Sequence, residues 1–146
     1  MPYEFQIDRA AGIIRETWTG SVTYDELVDS CRAEWAHPEY SSDLSILCDF
    51  RRARARLSAD EVLKFASWFS NDDAPPRLAI VVRRARGLDF AAIFLMIWSS
   101  HRPDAERIRL FFSLREADLW LSGLLASPGL PQEHSEAGRP ATASAR

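Results

Sequence analysis

The sequence predicts an α/β domain: one mixed, mostly parallel five-stranded sheet with four helices, in the order β-β-α-β-α-β-α-β-α. Three observations predict it. Short stretches with strand character alternate along the chain with stretches in which apolar residues recur at helical spacing. Thr23/Glu26, Ser58/Glu61 and Ser113/Glu116 each have the spacing of a capping box and mark three helix starts. "LAIVV", residues 78–82, is an all-apolar run of the kind that parallel sheets bury on both faces.

The opening "YEFQID" alternates strictly, with Tyr3, Phe5 and Ile7 on one face and Glu4, Gln6 and Asp8 on the other. "RAAG" turns the chain, with Gly12 free to take the left-handed conformation, and "IIRETWT" returns as the second strand of a hairpin. After Thr23, a helix places Tyr24, Leu27, Val28, Cys31 and Trp35 on one stripe, and Pro38 ends it. "LSILCDF", 44–50, reads as a central strand, and the arginine-rich run after it as a basic loop. The helix opened by Ser58 buries Val62, Phe65, Ala66 and Phe69, with Trp68 off that stripe, and "NDDAPP" closes it. A third helix is expected over 88–101, a fifth strand at "RIRLFF", and a last helix whose buried stripe is Ala117, Trp120, Leu121 and Leu124. From about residue 126 the composition turns to Pro, Gly, Ser and Ala, which predicts a disordered tail over 126–146 after a single domain, 1–125. Successive strand-helix-strand units require right-handed crossovers and hence parallel neighbours, with the hairpin as an antiparallel edge.

The 146 residues suit one core, and 47 % hydrophobic with 27 % charged residues is the balance of a soluble globular protein. A net charge of −3 gives no general nucleic-acid signature, so any basic site has to be a local patch. Cys31 and Cys48 are read as reduced, small apolar residues, because two thiols make no disulfide framework. No signal peptide opens the chain, and "FAAIFLMIW" is too short to span a bilayer; the expected location is cytoplasmic. His37, His101 and His134 lack metal-ligand spacing. There is no phosphate loop, dinucleotide fingerprint or nucleophile elbow. The expectation is therefore no catalytic residues, no metal and no cofactor.

The order of elements, together with "WTGSVTYDEL", "AHPEY", "ILCDFRRA", "LAIVV" and "LFFSLREADLWL", resembles the bacterial SpoIIAA-like family, also described as STAS/SEC14-like. The resemblance covers residue 3 to about 125. It implies a compact, non-enzymatic domain used for regulation through protein–protein contacts, or for binding a lipid or another small anion. It also implies a regulatory serine at the start of the helix after the central strand, a position that Ser58 occupies here.

Two surfaces are candidates for function. Arg51, Arg52, Arg54 and Arg56 follow the third strand, and Arg83, Arg84 and Arg86 follow the fourth. Parallel strands bring both groups to the carboxyl end of the sheet, the end at which open α/β sheets take their ligands. Helix N-termini near Ser58 and Gly87 would add free N–H groups there, an arrangement suited to phosphate or carboxylate. The competing readings are a solvated basic edge and, more weakly, a single-strand nucleic-acid site, which would need aromatic partners beyond Phe50 and Phe90. Ser58 is either a helix cap or a phosphoacceptor. In the 88–101 helix, Phe90, Ile93, Phe94 and Ile97 form one stripe and Trp98 lies beside it, so the helix is apolar all round. That predicts burial under the C-terminal segment, a homodimer interface, or an acyl ligand. The expected partners are thus a second copy of the chain or another protein, with a lipid or small anion as the alternative.

Overall fold

The computed structural model describes residues 2–69, 76–83, 94 and 105–124. Its elements are β1 (Tyr3–Asp8), β2 (Ile13–Val22), α1 (Tyr24–Trp35), β3 (Ser45–Ala55), α2 (Ala59–Phe69), β4 (Leu78–Val81), a 3₁₀ turn (Ala105–Arg107), β5 (Ile108–Phe111) and α3 (Leu114–Leu121). They form a five-stranded sheet in the order β1-β2-β3-β4-β5, with β1 antiparallel to β2 and the other neighbours parallel. The α/β class and the mostly parallel sheet are as expected. The 88–101 helix and the 126–146 tail lie outside the described residues, Phe94 excepted, and so do Arg84, Arg86, Phe90, Ile93, Ile97 and Trp98.

Local chemistry sets the element ends. Gly12 takes φ 68° at the hairpin turn, a conformation open to glycine at no steric cost. Thr23 and Glu26 make a reciprocal capping box. Ser58 and Glu61 do the same: the Glu61 N–H donates to Ser58 Oγ at 3.2 Å and the Ser58 N–H to Glu61 Oε2 at 2.8 Å. Ser113 accepts from the Glu116 N–H.

Period-2 alternation sorts the strands onto two faces. On the first, Ile14, Trp18, Ile46, Cys48, Phe50, Leu78 and Ile80 pack under Leu27 and Val28 of α1 and Val62, Phe65 and Phe69 of α2. On the second, Ile13, Leu47, Ala79, Val81 and Phe111 pack under Ala117 and Trp120 of α3. The central strands are therefore covered on both sides, as their near-continuous apolar runs require.

Three details differ from the sequence reading. β3 does not stop at Phe50 but runs to Ala55, so Arg51, Arg52 and Arg54 belong to a strand and not to a loop. The reason is alternation: Arg52 and Arg54 are exposed, while Ala53 between them is buried and Ala55 half-buried. Leu124 is not in a buried stripe but 78 % exposed, because α3 ends at Leu121 and Gly123, at φ 77°, turns the chain away. Trp68 is half-buried, its ring stacked on Trp35 at 5.2 Å.

Between Thr17↔Asp49 and Thr19↔Arg52 the register slips by one, so Trp18 alone opposes Phe50 and Arg51. This is a β-bulge on β3. It changes which side chains face which way: Ile46, Cys48 and Phe50 pack on the first face before it, and Ala53 after it. The bulge thereby aims Arg52 and Arg54 at the second face. Gly20, just beyond it on β2, takes φ 70° with open space where a Cβ would stand. Gly20→Ala should therefore cost about 1 kcal/mol through backbone strain alone. Urea unfolding would check this, and an unchanged midpoint would show that β2 relaxes at this point.

Candidate functional site

The carboxyl end of the sheet carries the arginines. β4 makes its last pair with β3 at Asp49↔Val81, whereas β2 and β3 continue as a two-stranded ribbon to Val22↔Ala55. The ribbon overhangs the end of β4, and Arg83 emerges beside it. Arg51, Arg52, Arg54 and Arg83, with Gly20, Ser21 and Ala53, line an open polar groove of about 590 Å³. Two strand ends thus bring four of the seven candidate arginines together. Arg56 is exposed but does not line the groove.

The four are not equivalent. Arg51 is committed to Asp49: Nε lies 2.9 Å from Oδ1 and Nη2 2.9 Å from Oδ2, and the Arg51 N–H also donates to Oδ1 at 3.1 Å. Burial would raise the Asp49 carboxyl, but these bonds and the Arg51 charge hold it below its usual range. Asp49 therefore pins the bulge and neutralises one arginine. Among the described residues no carboxylate makes a salt bridge to Arg52, Arg54 or Arg83.

No described residue lining the groove is aromatic. Phe50, the nearest aromatic in the sequence, is buried and stacked on Trp18 at 5.3 Å. It offers no face to a nucleic-acid base. The Ser58 hydroxyl is engaged as the α2 cap. Phe94 is 2 % exposed and packs between Phe65 and Phe69, so it faces this chain's own core and offers nothing to a second copy.

A second site went unrecognised in the sequence. Glu16 of β2 and Glu34 of α1 lie inside the first-face core, 7 % and 1 % exposed. Glu16 Oε2 accepts from Trp18 Nε1 at 2.9 Å and from Cys48 Sγ at 2.9 Å. Glu34 Oε1 accepts from the Tyr3 hydroxyl. Burial, then the Glu16 charge, push Glu34 up to about 10, and a side-chain hydrogen bond between the two acids adds to this against the pull of Tyr3. Glu34 also stands in the last turn of α1, where the helix dipole disfavours negative charge. Glu34 therefore keeps its proton through the neutral range. Burial, followed by the Glu16 charge, raises the Tyr3 phenol and the Cys31 and Cys48 thiols, keeping all three neutral. Both cysteines are free.

The pair borders a cavity walled by Trp18, Trp35, Phe50, Phe65, Phe69 and Phe94. Its chemistry is the inverse of the rim: acidic, apolar-walled and aromatic. Periodicity alone could have located both acids. Glu16 shares its parity with Ile14 and Trp18, and Glu34 falls seven residues after Leu27 and three after Cys31, on the buried stripe.

Among the described residues no group of three or more His, Cys, Asp and Glu side chains is placed to hold a metal ion. Among them, too, no helix is long and apolar enough to cross a membrane. No protein-family model, curated protein or solved structure matches the chain.

Proposed function

We propose that the chain is a binding domain, STAS-like in its order of elements, that recognises an anionic group in the arginine groove and acts without catalysis. The anion is a phosphate or carboxylate, free or as the head group of an amphipathic molecule. One observation carries the reading: Arg52, Arg54 and Arg83 converge on a single groove with no carboxylate partner among the described residues. Like charges side by side repel one another, and an anion between them removes that repulsion while accepting charge-assisted hydrogen bonds. Arg51, fixed by Asp49, forms a rigid flank. The groove also lies at the carboxyl ends of parallel strands, where such sheets place their ligands. Regulation through a protein partner is compatible with the same groove if that partner presents an acidic side chain.

Calorimetric titration of pyrophosphate into the full chain at low salt tests the reading. Saturable binding is expected, and the Arg52→Glu/Arg54→Glu double variant should lose about tenfold to a hundredfold in affinity, or ~1.5–3 kcal/mol. Vesicles of phosphatidylglycerol against phosphatidylcholine separate a lipid head group from a free anion. Equal heats for wild type and double variant would end the proposal.

A further inference from the structure

The Glu16–Glu34 cavity plays no part in anion recognition. We infer that it is a binding site for a small alkylammonium cation. Three features of the cavity favour such a cation: its charge, its walls and its size.

Two carboxyl groups are buried where an apolar core would have been more stable, since burying a charge is costly unless something compensates it. The described donors use only one oxygen of each: Trp18 and Cys48 both reach Glu16 Oε2, and Tyr3 reaches Glu34 Oε1. Both acids line the same cavity, and Glu34 holds its proton there because of burial and the nearby Glu16 charge. An anion would be repelled here, and a neutral apolar ligand would have no use for the acids.

The walls favour a cation with an apolar surface. Trp18 and Phe50 stack at one side, and Phe65, Phe69 and Phe94 cluster at the other. Aromatic faces carry negative potential, and several of them around a carboxylate make the setting in which alkylated ammonium groups are held. Ordinary metal cations do not fit this set, because they need more oxygen ligands than two carboxylates supply.

Size narrows the ligand further. Water centres can range over about 50 Å³ of the cavity. A space in which a water centre can move that far holds more than one water and suits a compact organic group of a few heavy atoms. Trimethylammonium and tetramethylammonium are of that size.

A cation between the acids replaces the proton that Glu34 holds, so Glu34 ionises as the ligand enters and one proton is released to solvent. Among the described residues, the other groups facing the pair do not compete for that role. Tyr3 of β1, Cys48 of β3 and Cys31 of α1 stay neutral. From α2 and β4 only Phe65, Phe69, Leu78 and Ile80 line the cavity. Affinity for a cation that cannot itself titrate should therefore rise with pH.

The test is titration of the full chain with tetramethylammonium chloride, followed by ¹H–¹⁵N NMR, at constant ionic strength set with sodium chloride. The Trp18 indole N–H, which donates to Glu16, should shift saturably. Affinity should climb between about pH 6 and about pH 9, by up to about tenfold per unit. Glu34→Gln should bind with that slope flattened, and Glu16→Gln should lose about tenfold or more. The neutral near-isostere tert-butanol should leave the Trp18 resonance in place. Equal binding of tert-butanol would reduce the site to an apolar void. No shift with tetramethylammonium, or an unchanged pH slope in Glu34→Gln, would overturn the inference. Because Glu34→Gln is expected to be well folded, its behaviour decides the matter even if Glu16→Gln does not fold. The groove at the carboxyl end is a separate site, so neither result bears on the anion reading.

Discussion

Glu34→Gln should stabilise the folded chain by about 3 kcal/mol at pH 7 and leave it nearly unchanged near pH 4. The sign follows from where the proton sits. In the unfolded chain Glu34 ionises around its ordinary 4.5, whereas in the folded chain it keeps its proton up to about 10. Unfolding in the neutral range therefore releases a proton. The contribution of Glu34 is most favourable below pH 4.5, declines as pH rises, and levels off above about 10. At pH 7 the group is 2.5 pH units above its unfolded value, and at ~1.4 kcal/mol per unit that is about 3 kcal/mol. Glutamine reproduces the neutral acid. Its carbonyl can accept from Tyr3 and its amide can donate to Glu16, but it has no proton to lose. Urea unfolding at about pH 4, 7 and 9 would show a gap between variant and wild type that opens with pH. A gap of constant size, or a variant weaker throughout, would mean that Glu34 is already ionised in the fold. A stabilising substitution that impairs pH-linked binding is the expected mark of a group retained for function and not for stability.

How much of this was legible from sequence depends on the range of the interaction. The hairpin, the three Ser/Thr-x-x-Glu helix starts and the apolar β4 depend on residues within a few positions of one another, and all were readable. The extension of β3 was also readable in principle: Arg52, Ala53, Arg54 and Ala55 alternate charged and small residues with strand period. A dense basic run suggests solvent on all sides and so masks that alternation. Glu16 and Glu34 were hidden for a similar reason, since a carboxylate at a core position invites reassignment to the surface. What no local pattern carries is the bulge. It exists because Trp18 packs flat on Phe50 while Asp49 holds Arg51, and those contacts join β2 to β3 across the sheet. The groove likewise depends on β4 stopping short of β3, a relation between two distant segments.

Trp120→Ala should be the most damaging single change considered, costing ~3–5 kcal/mol. α3 is eight residues long, below the roughly 12–15 at which an isolated helix holds in water, so docking is what keeps it helical. That docking rests on few side chains. Trp120 is 2 % exposed with its ring 5.5 Å from Phe111, and Ala117 beside it is fully buried but small. Arg77 reinforces the same residue twice, its guanidinium lying 5.4 Å from the ring centre and its Nη1 donating to the Trp120 carbonyl at 2.6 Å. Leu114 and Leu121 add only partly buried contacts, and the ion pair of Arg15 with Asp118 at 2.7 Å joins half-exposed groups without hydrogen-bond alignment, a type of pair worth ~0–1 kcal/mol. It cannot hold the helix alone. Without the indole, Leu47, Ala79, Val81 and Phe111 would face water as one apolar patch, which favours association between copies. Hydrogen exchange should show protection lost first in α3 and then in β4 and β5. The Trp18 indole resonance on the opposite face should be unchanged in the folded fraction, because the two clusters share no side chain. A loss below ~1 kcal/mol, the scale of a surface change, would mean that the second face is sealed by something other than α3.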